Sequence, residues 1–299
     1  MKRAKLLLIT LKVIPLFILS GCSGLQLVNA VSRNYYPATI ESNLTFDAKN
    51  KLAYDLYLPE KPVKFDHKTP VVIFFFGGSW NSGEKSEYEF AGRRLASLGY
   101  IAAIPNYRLY PQVTYPDFLY DGANAVKAIS EELKKAKYSD YYPDDQVIMM
   151  GHSAGAYNAA MLTTDPKWLN SVGIEKNKLI RGFVGLAGPY NIYPIYVEDV
   201  KPVFHDPNYP PDSMPIDFAS NAQPPSLILA PENDTLVKTD KNSVAFYNKL
   251  KASGNTTSLK FIEGTDHVTL MGTFSPVLFF KGSSIEPIQK FIDSLYHQK

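Results

Sequence analysis

The chain has 299 residues, with 31 basic side chains, 29 acidic ones and a single cysteine. One cysteine excludes a disulfide framework, so the core must hold the fold unaided. The near balance of charge, with no basic stripe, argues against a nucleic-acid surface. Four basic residues, Lys2, Arg3, Lys5 and Lys12, precede Cys22, which leaves 27 basic against 29 acidic from there to Lys299. Those 278 residues are enough for one large α/β domain.

Lys2, Arg3 and Lys5 form a basic start, residues 6–19 are mostly apolar, and Leu19-Ser20-Gly21-Cys22 follows. The apolar run is too short to span a bilayer and ends in small residues, the pattern of an export signal. Lys12 interrupts it and leaves 13–19 as its unbroken core. The tetrapeptide resembles the bacterial lipobox, whose cysteine is lipidated and becomes the new N-terminus. That resemblance implies a signal peptide over 1–21, lipidation at Cys22 and an exported protein anchored to a bacterial membrane. Ser23 points to the outer membrane if the host is Gram-negative. An unlipidated signal and an uncleaved anchoring helix are the alternatives. Residues 22–35 read as a tether and 36–299 as the domain.

Within that domain, alternating apolar residues over 39–46 and 51–58 indicate two antiparallel strands joined at 47–50. Strands are expected at 71–76, 101–105, 146–150, 182–186, 226–230 and 258–262. Helices are expected at 85–98, 118–136, 154–163, 242–253 and 284–297. Short, fully apolar strands alternating with helices predict a mostly parallel, doubly wound α/β sheet with an antiparallel start. Residues 189–224 are rich in Pro, Tyr and Asp and lack periodicity. A segment that long without a period reads as a lid-like insertion.

Gly151-His152-Ser153-Ala154-Gly155 lies between an apolar strand and a helix, the setting of a G-x-S-x-G nucleophile elbow. A serine hydroxyl needs a histidine to take its proton and a carboxylate to orient that histidine. Among five histidines, His67 and His205 lie in polar loops, His297 is near the C-terminus, and His152 should point away from its neighbour. His267 follows the last expected strand, where an α/β sheet gathers its chemistry. Asp234 follows the preceding strand and is the best-placed acid; Glu232 is its rival, and Asp266 reads as a turn residue. The order Ser153, Asp234, His267 matches that expected of such an elbow. Backbone donors for an oxyanion are expected at Ala154 and in the loop Gly77-Gly78-Ser79-Trp80. No metal-ligand spacing is present, and no cofactor is implied.

At these residues the chain resembles α/β-hydrolases of the hormone-sensitive-lipase-like carboxylesterase and arylformamidase-like groups. Phe76-Gly77-Gly78-Ser79-Trp80 is similar to their H-G-G-x-W loop, with Phe76 in place of the usual histidine. Asn106-Tyr107-Arg108-Leu109-Tyr110-Pro111, with Pro116 and Asp121, is similar to a further family stretch, and Arg108–Asp121 reads as a structural ion pair. The resemblance covers roughly residues 50–295. It implies the α/β-hydrolase fold, oxyanion donors at Gly78, Ser79 and Ala154 with Gly77 as an alternative, and an ester substrate of short-chain or aromatic acyl type. Amide or formamide hydrolysis, and a non-catalytic binding lipoprotein on the same fold, remain the other readings. Oligomeric state is left open.

Overall fold

A computed structural model of the chain describes residues 21–278 and 282–297. The export signal, apart from Gly21, and the Cys22 side chain lie outside the described residues.

Among the described residues eight strands form one sheet: β1 (Ala38–Asp47), β2 (Leu52–Pro59), β3 (Thr69–Phe75), β4 (Ile101–Pro105), β5 (Pro143–His152), β6 (Ile180–Leu186), β7 (Ser226–Asn233) and β8 (Thr257–Asp266). Their order is β1-β2-β4-β3-β5-β6-β7-β8. β2 runs antiparallel to both β1 and β4, and every later pairing is parallel. This is the α/β-hydrolase fold. All the expected strands are present, several extended by a few residues.

Among the described residues nine α-helices accompany the sheet: α1 (Gly21–Tyr35), α2 (Glu89–Ser97), α3 (Asp117–Glu132), α4 (Ala154–Thr164), α5 (Pro166–Asn170), α6 (Lys176–Leu179), α7 (Ala245–Ala252), α8 (Thr269–Gly272) and α9 (Ile285–Tyr296). Every residue of β3 is buried. Since neighbours on a strand face opposite ways, the sheet centre is covered on both sides. All eleven residues of α4 are buried too, which explains its run of Ala, Met and Leu. A polar face would leave unsatisfied groups in the core.

The segment expected to be a tether is instead the docked helix α1. Its Asn29 side chain donates to the Ser86 carbonyl at 2.9 Å and accepts from the Phe90 amide at 2.9 Å. The second contact satisfies a free N–H in the first turn of α2, as an N-cap would. Arg33 grips the Glu89 carboxylate through both Nε and Nη2, and Ser32 is fully buried. Helix α1 is thus packed against α2.

Candidate active site

β5 delivers Ser153 directly from the sheet centre. Its backbone sits at φ 52°, ψ −125°, a conformation costing a non-glycine residue about 1–3 kcal/mol. The turn is held by the Ser153 amide bonding to the Leu186 carbonyl at 2.9 Å, and by the Ser153 carbonyl accepting from Ala156 and Tyr157. Space permits no side chain on either flank. A Cβ on Gly151 would lie 2.3 Å from the Gly155 carbonyl oxygen, and one on Gly155 would lie 2.1 Å from that of Phe75.

The candidate acid and base arrive side by side because β7 and β8 pair in parallel and a register shift after Pro231 brings Asn233 opposite Asp266. The next residue of each chain is Asp234 and His267. Asp234 Oδ2 accepts from His267 Nδ1 at 2.8 Å, and His267 Nε2 lies 2.8 Å from Ser153 Oγ. The other Asp234 oxygen accepts the amides of Leu236 and Val237 at 3.0 and 2.8 Å. An ionised carboxylate can only accept, so His267 carries its proton on Nδ1 and presents a bare Nε2 to the serine hydroxyl. The Asp234 and His267 side chains are 1% and 9% exposed, dry enough for these contacts to outweigh competition from water. The rival carboxylates serve the loops. Glu232 accepts from the Gly264 amide, and Asp266 accepts from the amides of Val268 and Thr269.

The loop after β3 turns sharply, with positive φ at Gly78, Ser79 and Trp80. The Gly78 carbonyl is drawn aside by Asn81 and Ser82, so across a trans peptide the Ser79 N–H points the other way. Ser79 lines one cavity with Ser153 and His267. Ala154 opens α4, where first-turn N–H groups have no helical acceptor. Gly77 lies against the buried Tyr88 hydroxyl, which would stand 3.0 Å from a Cβ placed there. Phe76 stacks on Tyr107 at 4.4 Å, and the Tyr107 hydroxyl donates to the Phe76 carbonyl at 2.8 Å. This stacking fixes the loop where the related groups use histidine. Trp80 is buried beneath the insertion, edge-on to Phe204 at 4.9 Å, and its Nε1 donates to Asn158. Arg108 and Asp121 form the expected pair, closed by the Arg108 amide.

Sequence reasoning missed the part played by His152. Its ring turns away from Ser153, as expected, but Nε2 bonds to the His267 carbonyl at 3.0 Å and Nδ1 to the Tyr88 hydroxyl at 2.9 Å. A carbonyl only accepts, so Nε2 carries the proton and Nδ1 accepts from Tyr88. Burial, and then the charge His267 can carry, push His152 down from 6.5 to about 3. Burial also pushes the Tyr88 hydroxyl up, keeping it a donor. The chain of bonds runs from Tyr88 through His152 to the backbone of His267. Its only sequence signal was a histidine beside the nucleophile.

A cavity of about 320 Å³ opens over Ser153 and His267. The 189–224 insertion supplies Pro189, Ile192, Ile195, Tyr196, Val197 and Val200 to its wall. Three short 3-10 turns, Glu198–Val200, Pro202–Phe204 and Pro215–Phe218, are its regular structure. It is fastened from below by the Tyr157 hydroxyl to the Ser213 carbonyl at 2.5 Å, and by the Tyr115 amide to the Val203 carbonyl.

The BD-FAE family profile matches residues 54–250, two thirds of the chain, and includes the loop after β3, Ser153 and Asp234. The chain belongs to the BD-FAE family. A probable isoprenylcysteine alpha-carbonyl methylesterase of Oryza sativa subsp. japonica is 30% identical over 73% of this chain and 55% of its own length. The kynurenine formamidase of Danio rerio is 25% identical over 73% and 71%. The chain spans about half the length, or less, of the plant methylesterases it matches. Among solved structures, the Pyrobaculum calidifontis esterase superposes with a TM-score of 0.69 at 20% identity, over 91% of this chain and 90% of that one. A Thermogutta terrifontis esterase does so with 0.61 at 19%, over 86% and 91%. At these identities the likeness concerns the fold.

Proposed function

We propose that this BD-FAE member is a serine carboxylesterase acting through an acyl-enzyme on Ser153. The observation that carries the reading is the continuous pair of 2.8 Å contacts from Asp234 through His267 to the Ser153 hydroxyl. His267 Nε2 takes the serine proton as Oγ attacks the ester carbonyl. The charge on the tetrahedral oxygen is met by the N–H groups of Ala154, Ser79 and Gly78, and Asp234 stabilises the imidazolium. His267 then protonates the departing alcohol, and water releases the acid by the reverse use of the same groups. The methylesterase relative supports this class of reaction. Ser153→Ala should lower turnover of p-nitrophenyl acetate by roughly 10⁵-fold or more; retained turnover would refute the assignment.

The kynurenine formamidase relative, matched over most of both chains, favours a second reading in which the bond is a formamide. Formanilide and phenyl formate, compared side by side, separate the two. A further part of the proposal is that Cys22 bears the lipid. Because α1 begins at Gly21 and is docked, the anchor would hold the catalytic body against the membrane instead of on a long leash. Palmitate labelling that survives Cys22→Ser would overturn it.

A further inference from the structure

Resting on the esterase reading, one feature of the same cavity specifies its substrate. Most of the wall is apolar, and no acidic side chain lines it. Yet Lys238 and Lys241, both from the stretch after β7, line it together with Ser153 and His267. Neither makes an ion pair among the described residues. Both ammonium groups share one ring, Tyr196 of the insertion, at 5.7 and 5.5 Å from its centre. Their backbone is fixed to the insertion: Asn242 is buried, accepts from the Asn191 amide at 2.8 Å and donates to the Lys238 carbonyl at 3.0 Å. Burial, and then the neighbouring Lys238, lower the affinity of Lys241 for its proton.

Two like charges held around one ring repel each other, and the cation–π contacts only partly offset that. A pair of cations with no ion-pair partner among the described residues, beside a pocket whose remaining wall is largely apolar, complements a ligand with an apolar segment ending in an anion. We propose that the substrate is a carboxylic ester bearing a carboxylate, separated from the scissile carbonyl by a short apolar segment and held by Lys238 and Lys241. The neutral ester end lies over Ser153, and the anion faces the two ammonium groups.

Matched pairs of esters test this. Monoethyl glutarate against ethyl valerate places the carboxylate on the acyl side. 4-Acetoxybenzoate against its methyl ester places it on the leaving side. The wild-type protein should favour the anionic member of at least one pair by about tenfold in kcat/KM, the size of one charge-assisted contact. That ratio should collapse in the Lys238→Gln/Lys241→Gln protein, chiefly through KM, and persist in Lys238→Arg/Lys241→Arg. Preference for the neutral member in both pairs, or a ratio unmoved by the glutamine pair, overturns the assignment. Calorimetric binding of the same two carboxylates to Ser153→Ala protein reads the lysines without turnover. Anion binding without any hydrolysis by the wild type sinks the esterase reading alone. Hydrolysis of neutral esters with no anion preference sinks the lysine assignment alone.

Discussion

The buried ring of His152 should make this protein sensitive to mild acid in a way that one substitution removes. In the unfolded chain His152 takes a proton near 6.5, whereas in the fold burial holds it down to about 3. Between those values the unfolded state binds the extra proton, so stability is complete above about pH 6.5 and falls as pH drops toward 3. From pH 7 to pH 5 this single group removes about 2 kcal/mol of stability. His152→Gln takes away the titrating group, while its amide can donate to the His267 carbonyl and accept from Tyr88. Urea unfolding at pH 7, 6 and 5 gives the free energy of each protein from midpoint and slope. The wild type should lose about 2 kcal/mol more than His152→Gln between pH 7 and 5. Parallel losses would refute the reasoning, because the buried imidazole would then not be carrying the acid response.

Three other substitutions follow from the geometry. Gly155→Ala puts a methyl 2.1 and 2.4 Å from the carbonyl oxygens of Phe75 and Phe76. The start of α4 must shift and take the Ala154 donor with it, so kcat for p-nitrophenyl acetate should fall at least about 100-fold. Asp234→Asn offers an amide that no longer fixes the Nδ1–H tautomer of His267, and kcat should drop by about 10⁴ with little change in unfolding temperature; a drop below tenfold would exclude Asp234 as the orienting acid. Asn29→Ala uncaps α2 and should cost about 1–2 kcal/mol. Differential scanning fluorimetry should register this as a melting point lowered by several degrees, and no change would mean that α1 is not bound as described.

Much of the candidate site's geometry was legible because strand ends are legible. Asp234 and His267 each follow an apolar run, and parallel pairing of β7 with β8 converts that sequence likeness into spatial adjacency. The helix α1 was misread for a physical reason. Following a tetrapeptide that resembles a lipobox, a 14-residue stretch looks like a spacer, and its recognition groups, Asn29 and Ser32, are polar residues buried by hydrogen bonds to distant backbone and side chains. Leu25 and Val28, which pack on the core at helical spacing, were the available signal. The insertion shows no period in the sequence because its regular structure is single 3-10 turns, which leave no repeat to detect. His152 escaped because its bonds run to His267 and Tyr88, 115 and 64 residues away.

The depressed proton affinity of His152 has a consequence for the proposed chemistry as well as for stability. β8 stands three strands from β5, about 14 Å at the usual spacing, so the loop bearing His267 must reach back across β6 and β7 to meet Ser153. The bond from His152 Nε2 to the His267 carbonyl fastens that reach at its end. It also brings a second imidazole to 5.1 Å from the base, centre to centre. Were His152 charged, it would oppose the imidazolium that forms on His267 during acylation by about 3 kcal/mol at an effective dielectric of 20. That is about two powers of ten in rate. Burial keeps the ring neutral, so it donates its hydrogen bond without contributing a charge. The acid lability argued above and the absence of an opposing charge beside His267 therefore have one physical origin, the exclusion of water from around His152.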